Sequence, residues 1–300
     1  MELWIWVTLA AAAFQTVRFT LQKVLRGGTL STFGATFARF AYSAPLVALG
    51  LAAYLAATAQ PLPTLGAGFW GYALTGGAAQ VLATACVVAL FGARNFAVGI
   101  TFKKTEVVQT ALLGFVLLGE RLSAPAVGAI ALGLAGVWLI GAPPGAAFGG
   151  PGRIANRAAA LGLASGGLFA VSAVCYRGAS LAVGSEDPVL RAAVTLAAVT
   201  AAQMAGLALW LWRRERGELS RVWGARRVAL WVGLASMGGS FCWFLAFTLE
   251  TAALVKAVGQ VELLMSLAVT VLVFHERVSR SELAGIALLT ASVVGLVLLA

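Results

Sequence analysis

Long apolar runs, separated by mostly short polar connections, dominate this chain of 300 residues. A run of about 20 apolar residues is long enough to cross the hydrocarbon core of a bilayer as a helix. Ten such segments follow one another, so the sequence predicts an all-α integral membrane protein with ten transmembrane helices. The predicted spans are approximately residues 3–24, 32–57, 69–91, 97–118, 125–140, 158–181, 188–212, 228–248, 252–274 and 282–299.

Composition argues against the main alternative, a soluble globular protein. Hydrophobic residues make up 61% of the chain and charged residues only 11%, whereas a soluble domain is about a quarter charged. Too little polar surface is available to cover a globule of this size. The lipid bilayer is therefore an expected partner of the folded chain.

The net charge of +10 comes from basic residues that are spread over the loops between the predicted spans. No stacking aromatic residues interleave them on a soluble segment, so we expect no nucleic acid partner. Most of the loop arginines fall on one side of the predicted topology, and the positive-inside rule places that side in the cytoplasm. The pattern predicts a protein of the cell inner membrane with both termini in the periplasm.

A glycine- and proline-rich linker near the middle of the chain, residues 143–157, separates five predicted spans from five others. We therefore divide the chain into a first five-helix repeat, residues 1–142, and a second, residues 158–300. Because five is an odd number, the second repeat enters the membrane from the opposite side. Inverted repeats of this kind are typical of transporters that expose a midplane site alternately to the two sides of the membrane.

Two sequence matches support this duplication. A shift of 156 residues places Glu106 on Glu262, and residues 120–123 on residues 276–279, without a gap. A second match, of a tryptophan and a glycine in each half, needs a shift of 161 residues. The two matches occur in the same order with similar offsets, so we expect a two-fold internal repeat.

Charged side chains inside the fourth and ninth predicted spans are the main functional signal. Glu106 and Glu262 lie near mid-depth, where insertion scales put one charge at about 2.5 to 3.5 kcal/mol. Such charges either form buried pairs that fix helix packing or line a solvated cavity for a polar or zwitterionic solute. We favour the cavity, because ionisable residues within a membrane mark functional sites. The candidate substrate-binding residues are Glu106, Glu262, Lys103, Lys104, Lys256, Gln80, Gln109, Gln260, Phe14, Gln15, Trp243 and Phe244.

Glu120 and Arg121, and their counterparts Glu276 and Arg277, lie at the ends of the fourth and ninth predicted spans. The carbonyl end of a helix favours arginine, and the serine that follows each pair can begin the next helix. The structural interpretation is therefore a helical hairpin in each repeat. The functional alternative is a salt bridge between the repeats that gates the cavity.

These features together resemble a known family. Ten spans in two copies, the GERLS and HERVS turns that end the fourth helix of each copy, and Arg39-Phe40 resemble the drug/metabolite transporter superfamily, and within it the EamA-like ten-helix exporters. The segment FKKTEVVQ looks most like the branch that exports aromatic amino acids. The resemblance implies a basket in which helices 1, 3, 4, 6, 8 and 9 surround the cavity and helices 5 and 10 lie outside it. Strict symmetry fails where Lys104 matches Gln260.

Sequence motifs give no support to enzyme chemistry. The single histidine, His275, excludes an HExxH site, and neither a Walker A loop nor a GxSxG elbow is present. Three cysteines lie in separate apolar runs and form no metal-binding pattern. We therefore expect no enzyme activity and no metal or other cofactor.

The expected function is an inner-membrane transporter that exports amino acids or similar small metabolites by alternating access. Glu106, Glu262 and the nearby lysines would receive the ammonium and carboxylate groups of the substrate, and Phe14, Trp243 and Phe244 its side chain. One alternative is an efflux pump for hydrophobic drugs or cations. Another, from a different class, is a membrane-embedded enzyme or a structural membrane protein. We expect a monomer or a weak homo-oligomer.

Overall fold

The computed structural model describes residues 2–27, 30–90, 103–141, 157–265 and 280–299. Within these ranges the chain consists of helices and connecting loops, without a β-strand. The helices are α1 (Leu3–Gly27), α2 (Thr32–Thr58), α3 (Ala67–Leu90), α4 (Glu106–Leu118), α5 (Ala124–Gly141), α6 (Arg157–Leu181), α7 (Pro188–Arg214), α8 (Glu218–Gly224), α9 (Arg226–Leu249), α10 (Ala252–Val258) and α11 (Arg280–Leu299). Residues 261–265 are helical as well.

Several of the described helices are long and apolar enough to cross a membrane. These are the segments Thr32–Thr58, Ala67–Leu90, Ala160–Leu181, Pro188–Arg214 and Arg226–Leu249. Shorter apolar stretches form most of α4, α5 and α11. The helices support the predicted class, an all-helical multi-pass membrane protein, whereas the number of ten spans stays a prediction.

Local sequence determines where two of the long helices begin. Ser31 precedes α2, and its hydroxyl accepts a hydrogen bond from Gly34 N at 2.9 Å. Asp187 precedes α7, and its carboxylate accepts one from Val189 N at 2.9 Å. Pro188 then occupies the first turn, where its missing N–H needs no partner. Such caps supply acceptors that the first turn lacks, which is why both helices start close to their predicted positions.

The fourth and ninth predicted spans are interrupted. The chain turns at residues 104–105, directly before α4, and again at residues 259–260, directly after α10. Within the described parts of the predicted spans 97–118 and 252–274, the α-helix is therefore interrupted at these two points. Lys104 and Thr105 interrupt the apolar sequence at the first turn, and Gly259 and Gln260 interrupt it at the second. Polar residues and glycine also occur within membrane helices, so these residues alone do not reveal the turns.

Short-range backbone bonds satisfy the second turn inside the protein. Gln260 N donates to Ala257 O at 3.1 Å, and Glu262 N donates to Gly259 O at 3.1 Å. These bonds span three residues and replace the four-residue bonds of a regular α-helix. A membrane helix tolerates a break where such bonds or a cavity satisfy the freed backbone groups.

The connection between the predicted spans 188–212 and 228–248 contains the short helix α8. Gly217 precedes α8 with a φ of +84°, which glycine adopts without strain. Glu218, the first residue of α8, is buried and accepts a hydrogen bond from Ser31 N at 2.5 Å. This contact fastens the connection to the start of α2. Residues 143–156 of the predicted linker lie outside the described residues.

Helices that precede the linker pack directly on helices that follow it. The main pairs are α3 with α6, α5 with α11, α1 with α9, α2 with α7, and α4 with both α6 and α10. The largest cluster of buried apolar side chains extends from Trp4 on α1 to Phe247 on α9 and Leu296 on α11. The two halves therefore interlock, and the interior holds residues from each.

Candidate substrate-binding site

The two helix breaks bring the predicted charges together. Lys103 and Lys104 lie at the first break, and Glu106 is the first residue of α4. Lys256 lies on α10, and Glu262 lies just after the second break. α4 packs against α10, which places both breaks in one region. The side chains are almost entirely buried, with Glu262 the most exposed at 12%.

Glu106 neutralises two lysines. Its Oε2 lies 3.5 Å from Lys103 Nζ, and its Oε1 lies 3.7 Å from Lys256 Nζ. Both distances exceed the length of about 2.7–2.9 Å that is typical of a charge-assisted hydrogen bond. Oε2 has no hydrogen-bond donor. The contacts are therefore ion pairs without direct hydrogen bonds, and they leave room for a small rearrangement.

Glu262 connects the second break to α1 and α9. Its Oε2 lies 3.6 Å from Lys104 Nζ and accepts a hydrogen bond from Gln15 Nε2 at 2.6 Å. Gln15 Oε1 in turn accepts from Trp243 Nε1 at 3.2 Å and from Arg18 Nη2 at 3.3 Å. The amide of Gln15 therefore links an acid, an indole and a guanidinium into one network.

The ion pairs cross between the two halves in both directions. Lys104, from the first half, pairs with Glu262 in the second, and Lys256, from the second half, pairs with Glu106 in the first. The structure thus brings the two matched acids of the prediction into one charge network. Each acid contacts a protein lysine, which offsets part of its cost of burial.

Two arginines complete the polar interior. Arg39, on α2, donates to Thr84 Oγ1 at 3.4 Å and to Ser240 Oγ at 3.1 Å. Arg18, on α1, is 4% exposed, and its Nη1 has no hydrogen-bond partner. In the described part of the chain, neither guanidinium pairs with a carboxylate. Both remain charged, because arginine is not deprotonated in proteins.

A small cavity lies between these groups. Its volume is about 20 Å³, enough for a water molecule but not for a metabolite. The charged side chains that line it are Arg18, Arg39 and Lys256, whereas Glu106 and Glu262 do not line it. Its aromatic wall consists of Phe169, Tyr176, Trp243, Phe244 and Phe247.

Aromatic rings hold the lysine of α10 in place. Lys256 Nζ lies 4.8 Å from the ring centroid of Trp243 and 5.5 Å from that of Phe169. Tyr176 stacks on Phe244 with a centroid separation of 4.3 Å. Cation–π contacts are stronger when the cation is desolvated, so this wall stabilises the buried ammonium while it shapes the cavity.

The predicted glutamines have different positions. Gln80 lines the cavity and accepts hydrogen bonds from Tyr176 Oη at 3.1 Å and from Gln203 Nε2 at 3.0 Å. Gln109 instead donates to Thr105 Oγ1 at 2.8 Å, and its side chain lies against Gly166 and Gly167 of α6. Neither Gln109 nor Gln260 is among the residues that line the cavity.

Gln260 and Phe14, which are predicted to bind substrate, do not line the cavity. Gln260 donates to Lys256 O at 3.3 Å and lines a separate small pocket together with Lys104. Phe14 is 41% exposed and packs against Gly238 and Gly239 of α9, and it is not among the residues that line the cavity.

The predicted gating residues are only partly described. Glu120 forms a salt bridge with Arg177 of α6, while Arg121 is exposed on the same loop. Glu276 and Arg277 lie outside the described residues. Glu120 therefore contacts the second half of the chain. A gating salt bridge between the repeats would need such a contact.

The predicted set omits several residues that line the cavity. Arg18 and Arg39 carry a detectable signal, because an arginine in an apolar run is as costly as an acid. Tyr176 and Phe247 carry none, since aromatic residues are common in membrane helices and only the packing of α6 on α9 brings these two to the cavity.

Comparisons with known proteins agree with this architecture. No curated protein sequence matches the chain. A crystal structure of another protein superposes with a TM-score of 0.69 at 19% sequence identity, over 98% of this chain and 97% of that one, a likeness that concerns the fold alone. Residues 156–298 match the family model of the EamA-like transporter family. The second half of the chain is therefore similar to an EamA-like transporter domain, which supports a membrane transporter of the drug/metabolite type.

Proposed function

We propose that the protein is an inner-membrane transporter that exports amino acids, aromatic ones among them, or similar small metabolites by alternating access. Two inverted five-helix repeats, residues 1–142 and 158–300, would form the transport unit, with both termini in the periplasm. The observation that carries the proposal is the pair of reciprocal contacts, Lys104 with Glu262 and Lys256 with Glu106, at the two helix breaks.

The positions of the breaks support a repeat. The shift of 156 residues that aligns Glu106 with Glu262 also aligns Lys104, in the first turn, with Gln260, in the second. The packing has the same symmetry: exchanging the repeats converts the pair α3 and α6 into the pair α9 and α1, and both pairs are present. Broken helices at matched positions are typical of transporters with internal repeats.

Two sets of contacts support inversion. Ser165, near the start of α6, donates to Ala83 O near the end of α3 at 3.2 Å, and Gly178, near the end of α6, lies beside Tyr72 near the start of α3. α3 and α6 therefore run in opposite directions. The C-terminal ends of α6 and α9 lie together, where Arg177 binds backbone oxygens at the end of α9, so α9 follows the direction of α6. The third spans of the two repeats, α3 and α9, then point in opposite directions, as inversion requires.

Alternating access needs a state in which the site is closed, and the cavity of about 20 Å³ fits such a state. Opening on one side would require α4 and α10 to move relative to α6 and α9. Both ion pairs of Glu106 lie within α4, the break before it and α10, so a joint movement of α4 and α10 leaves these pairs intact. Glu120 and Arg177 would close one end of the bundle.

Flux measurements with the purified protein in proteoliposomes test the proposal. A panel of radiolabelled amino acids is offered with and without an imposed pH gradient, and we expect protein-dependent flux of at least one of them. Glu106→Gln and Lys104→Ala should abolish that flux while the variants still insert and fold. Arg214→Gln, which changes an exposed charge at the end of α7, is the matched control. Normal flux in both charge variants would refute the site, and no protein-dependent flux of any amino acid on the panel would refute amino acids as the substrates.

A further inference from the structure

We propose that the cavity, when it opens during transport, takes an organic anion: a substrate with an aromatic or bulky apolar body and a carboxylate or another acidic group, but no free ammonium group. This inference rests on the proposed transport function, and among its candidate substrates it favours acidic small metabolites over amino acids. The anionic group would lie between Arg18, Arg39 and Lys256, and the apolar body against Trp243 and Phe244.

The charge balance of the interior is the first argument. Among the described residues of the network, five cations stand against two acids. A buried charge without a counter-charge is strongly destabilising, and more so within a membrane. An anionic substrate would offset part of this excess of positive charge. The cations are Lys103, Lys104, Lys256, Arg18 and Arg39.

The location of the acids is the second argument. An amino acid needs a carboxylate that is free to receive its ammonium group. Glu106 is already in contact with Lys103 and Lys256, and Glu262 with Lys104 and Gln15. Neither acid lines the cavity. The described cavity wall therefore offers an ammonium group only aromatic faces and neutral polar atoms, next to three cations that repel it.

The unpaired guanidinium nitrogen is the third argument. Arg18 Nη1 is buried, lacks a hydrogen-bond partner and belongs to a side chain that lines the cavity. Nη2 of the same group is held by Gln15, so one edge of the guanidinium is positioned while the other is available. Among the described residues, Arg39 donates hydrogen bonds to the hydroxyl groups of Thr84 and Ser240, which an acidic group can displace or share.

The decisive experiment compares three probes that share a phenyl ring and differ in charge. Hydrocinnamate is an anion, phenylalanine is its zwitterionic counterpart with an added ammonium group, and phenethylamine is a cation. Binding of each is measured by calorimetry on the full chain in lipid nanodiscs, in low-chloride buffer, with empty nanodiscs as the blank. We expect hydrocinnamate to bind at least about tenfold more tightly than either of the others, because only its charge is complementary to the cavity.

Variants locate the binding. Arg18→Gln should weaken hydrocinnamate binding by about ten- to a hundredfold, the range for a lost hydrogen bond to a charged group. Arg214→Gln, which removes an equal charge from an exposed helix end, should leave it unchanged. In the absence of a probe, Arg18→Gln should raise the melting temperature, because it removes an unpaired buried charge. A lower melting temperature would mean that the contacts of Arg18 with Gln15 and Phe19 outweigh the cost of its unpaired charge, and would contradict the proposal.

The other outcomes separate this inference from the transport function. Tighter binding of phenylalanine or phenethylamine overturns the anion assignment and leaves transport intact. Hydrocinnamate binding that survives both Arg18→Gln and Arg39→Gln places the anion elsewhere and also overturns it, as does the absence of binding by any probe to folded wild-type protein. Selective binding of hydrocinnamate without flux in proteoliposomes supports the anion site and refutes the transport function.

Discussion

Arg177, near the end of α6, forms a salt bridge with Glu120, in the loop that follows α4, and so joins the two halves of the chain at one end of the bundle. The same guanidinium donates to Phe247 O at 2.8 Å and to Glu250 O at 2.6 Å, at the carbonyl end of α9. Gly119 makes this possible: with a φ of +67° it ends α4 and redirects the chain before Glu120. Arg177 therefore links α6 to the loop after α4 and to the C-terminal end of α9.

Loss of this salt bridge should open the cavity at that end. In Glu120→Gln, Arg177 loses its charged partner, and we expect the rate of modification of a cavity cysteine to rise about tenfold, equivalent to 1.4 kcal/mol. The cysteine is introduced by Ser172→Cys, at a residue that lines the cavity, in a background whose three native cysteines are replaced. The rate is measured with a membrane-impermeant thiol reagent.

Arg121→Gln is the matched control for this opening. Arg121 follows Glu120 directly but is exposed on the loop, so its replacement should leave the modification rate unchanged. Equal rates in Glu120→Gln and the parent protein would assign the salt bridge a purely structural role.

Glu106 should contribute more to stability than Glu262. Glu106→Gln leaves both Lys103 and Lys256 without a carboxylate, and we expect a loss of about 3 to 5 kcal/mol in the free energy of unfolding, the range for breaking a buried ion pair. Glu262→Gln removes the partner of Lys104 alone and should cost less. The free energies of unfolding of both variants are measured in detergent, with intrinsic fluorescence as the signal.

Removal of the stranded charge should restore stability. Combining Glu106→Gln with Lys256→Met replaces one ion pair by neutral groups, and the double variant should be more stable than Glu106→Gln alone. If the two substitutions are simply additive, the ion pair at 3.7 Å has no energetic role.

Gly76 should be sensitive to added volume, because α3 and α6 meet there. A Cβ atom at Gly76 would lie 2.9 Å from Cys175 Cβ and 2.9 Å from a ring carbon of Tyr176. Gly76→Ala should therefore destabilise the protein by about 1 to 3 kcal/mol, as overpacking does. Gly71→Ala, on the same helix, meets no atom within 4 Å and should be neutral or stabilise by up to about 1 kcal/mol. Equal melting temperatures for the two variants would show that the helices do not meet at Gly76.

Asp187 should make stability depend on acid pH. Burial raises its pKa, but hydrogen bonds from Tyr54, from the backbone of α7 and from Gln60 outweigh this and hold the pKa below its ordinary value of 3.8. Because the folded-state pKa is the lower one, the stabilisation is complete above the ordinary value and is lost as the pH falls through the folded-state pKa.

Comparison of melting temperatures between about pH 6 and pH 3 tests this dependence. Asp187→Asn keeps a capping oxygen but cannot titrate, so its loss of stability in acid should be smaller than that of the wild type. Glu186→Gln, which changes the adjacent exposed carboxylate, should retain the wild-type dependence. An unchanged acid profile in Asp187→Asn would exclude Asp187 as the source.

Much of the fold could be predicted because the governing interactions are local. The apolar runs predict helices with buried or lipid-facing surfaces, and Ser31 and Asp187 begin α2 and α7 by bonds to backbone groups within three residues. The breaks at 104–105 and 259–260 could not be predicted, because polar residues and glycine there are equally compatible with a continuous helix and only the surrounding packing stabilises the turns.

The candidate site was predictable in its residue types but not in its pairings. Each membrane charge is costly wherever it lies, so sequence alone marks Glu106, Glu262 and the lysines. It does not reveal that Lys104 reaches Glu262, since that contact depends on how α4 lies against the second break. The position of Phe14 outside the cavity depends likewise on its packing against α9.

The sequence by itself determined a helical membrane protein, the ends of its capped helices and the residues whose burial requires a partner, because hydrophobicity and capping act over a few residues. The tertiary structure decided which partners those residues have. Glu120 forms a salt bridge with Arg177 across the two halves, and Glu106 and Glu262 form ion pairs with lysines. Arg18 lines the cavity with one guanidinium nitrogen that has no hydrogen-bond partner. Coulomb and hydrogen-bond energies depend on distances of a few ångströms between helices that are far apart in the chain, and only the packing of those helices sets such distances.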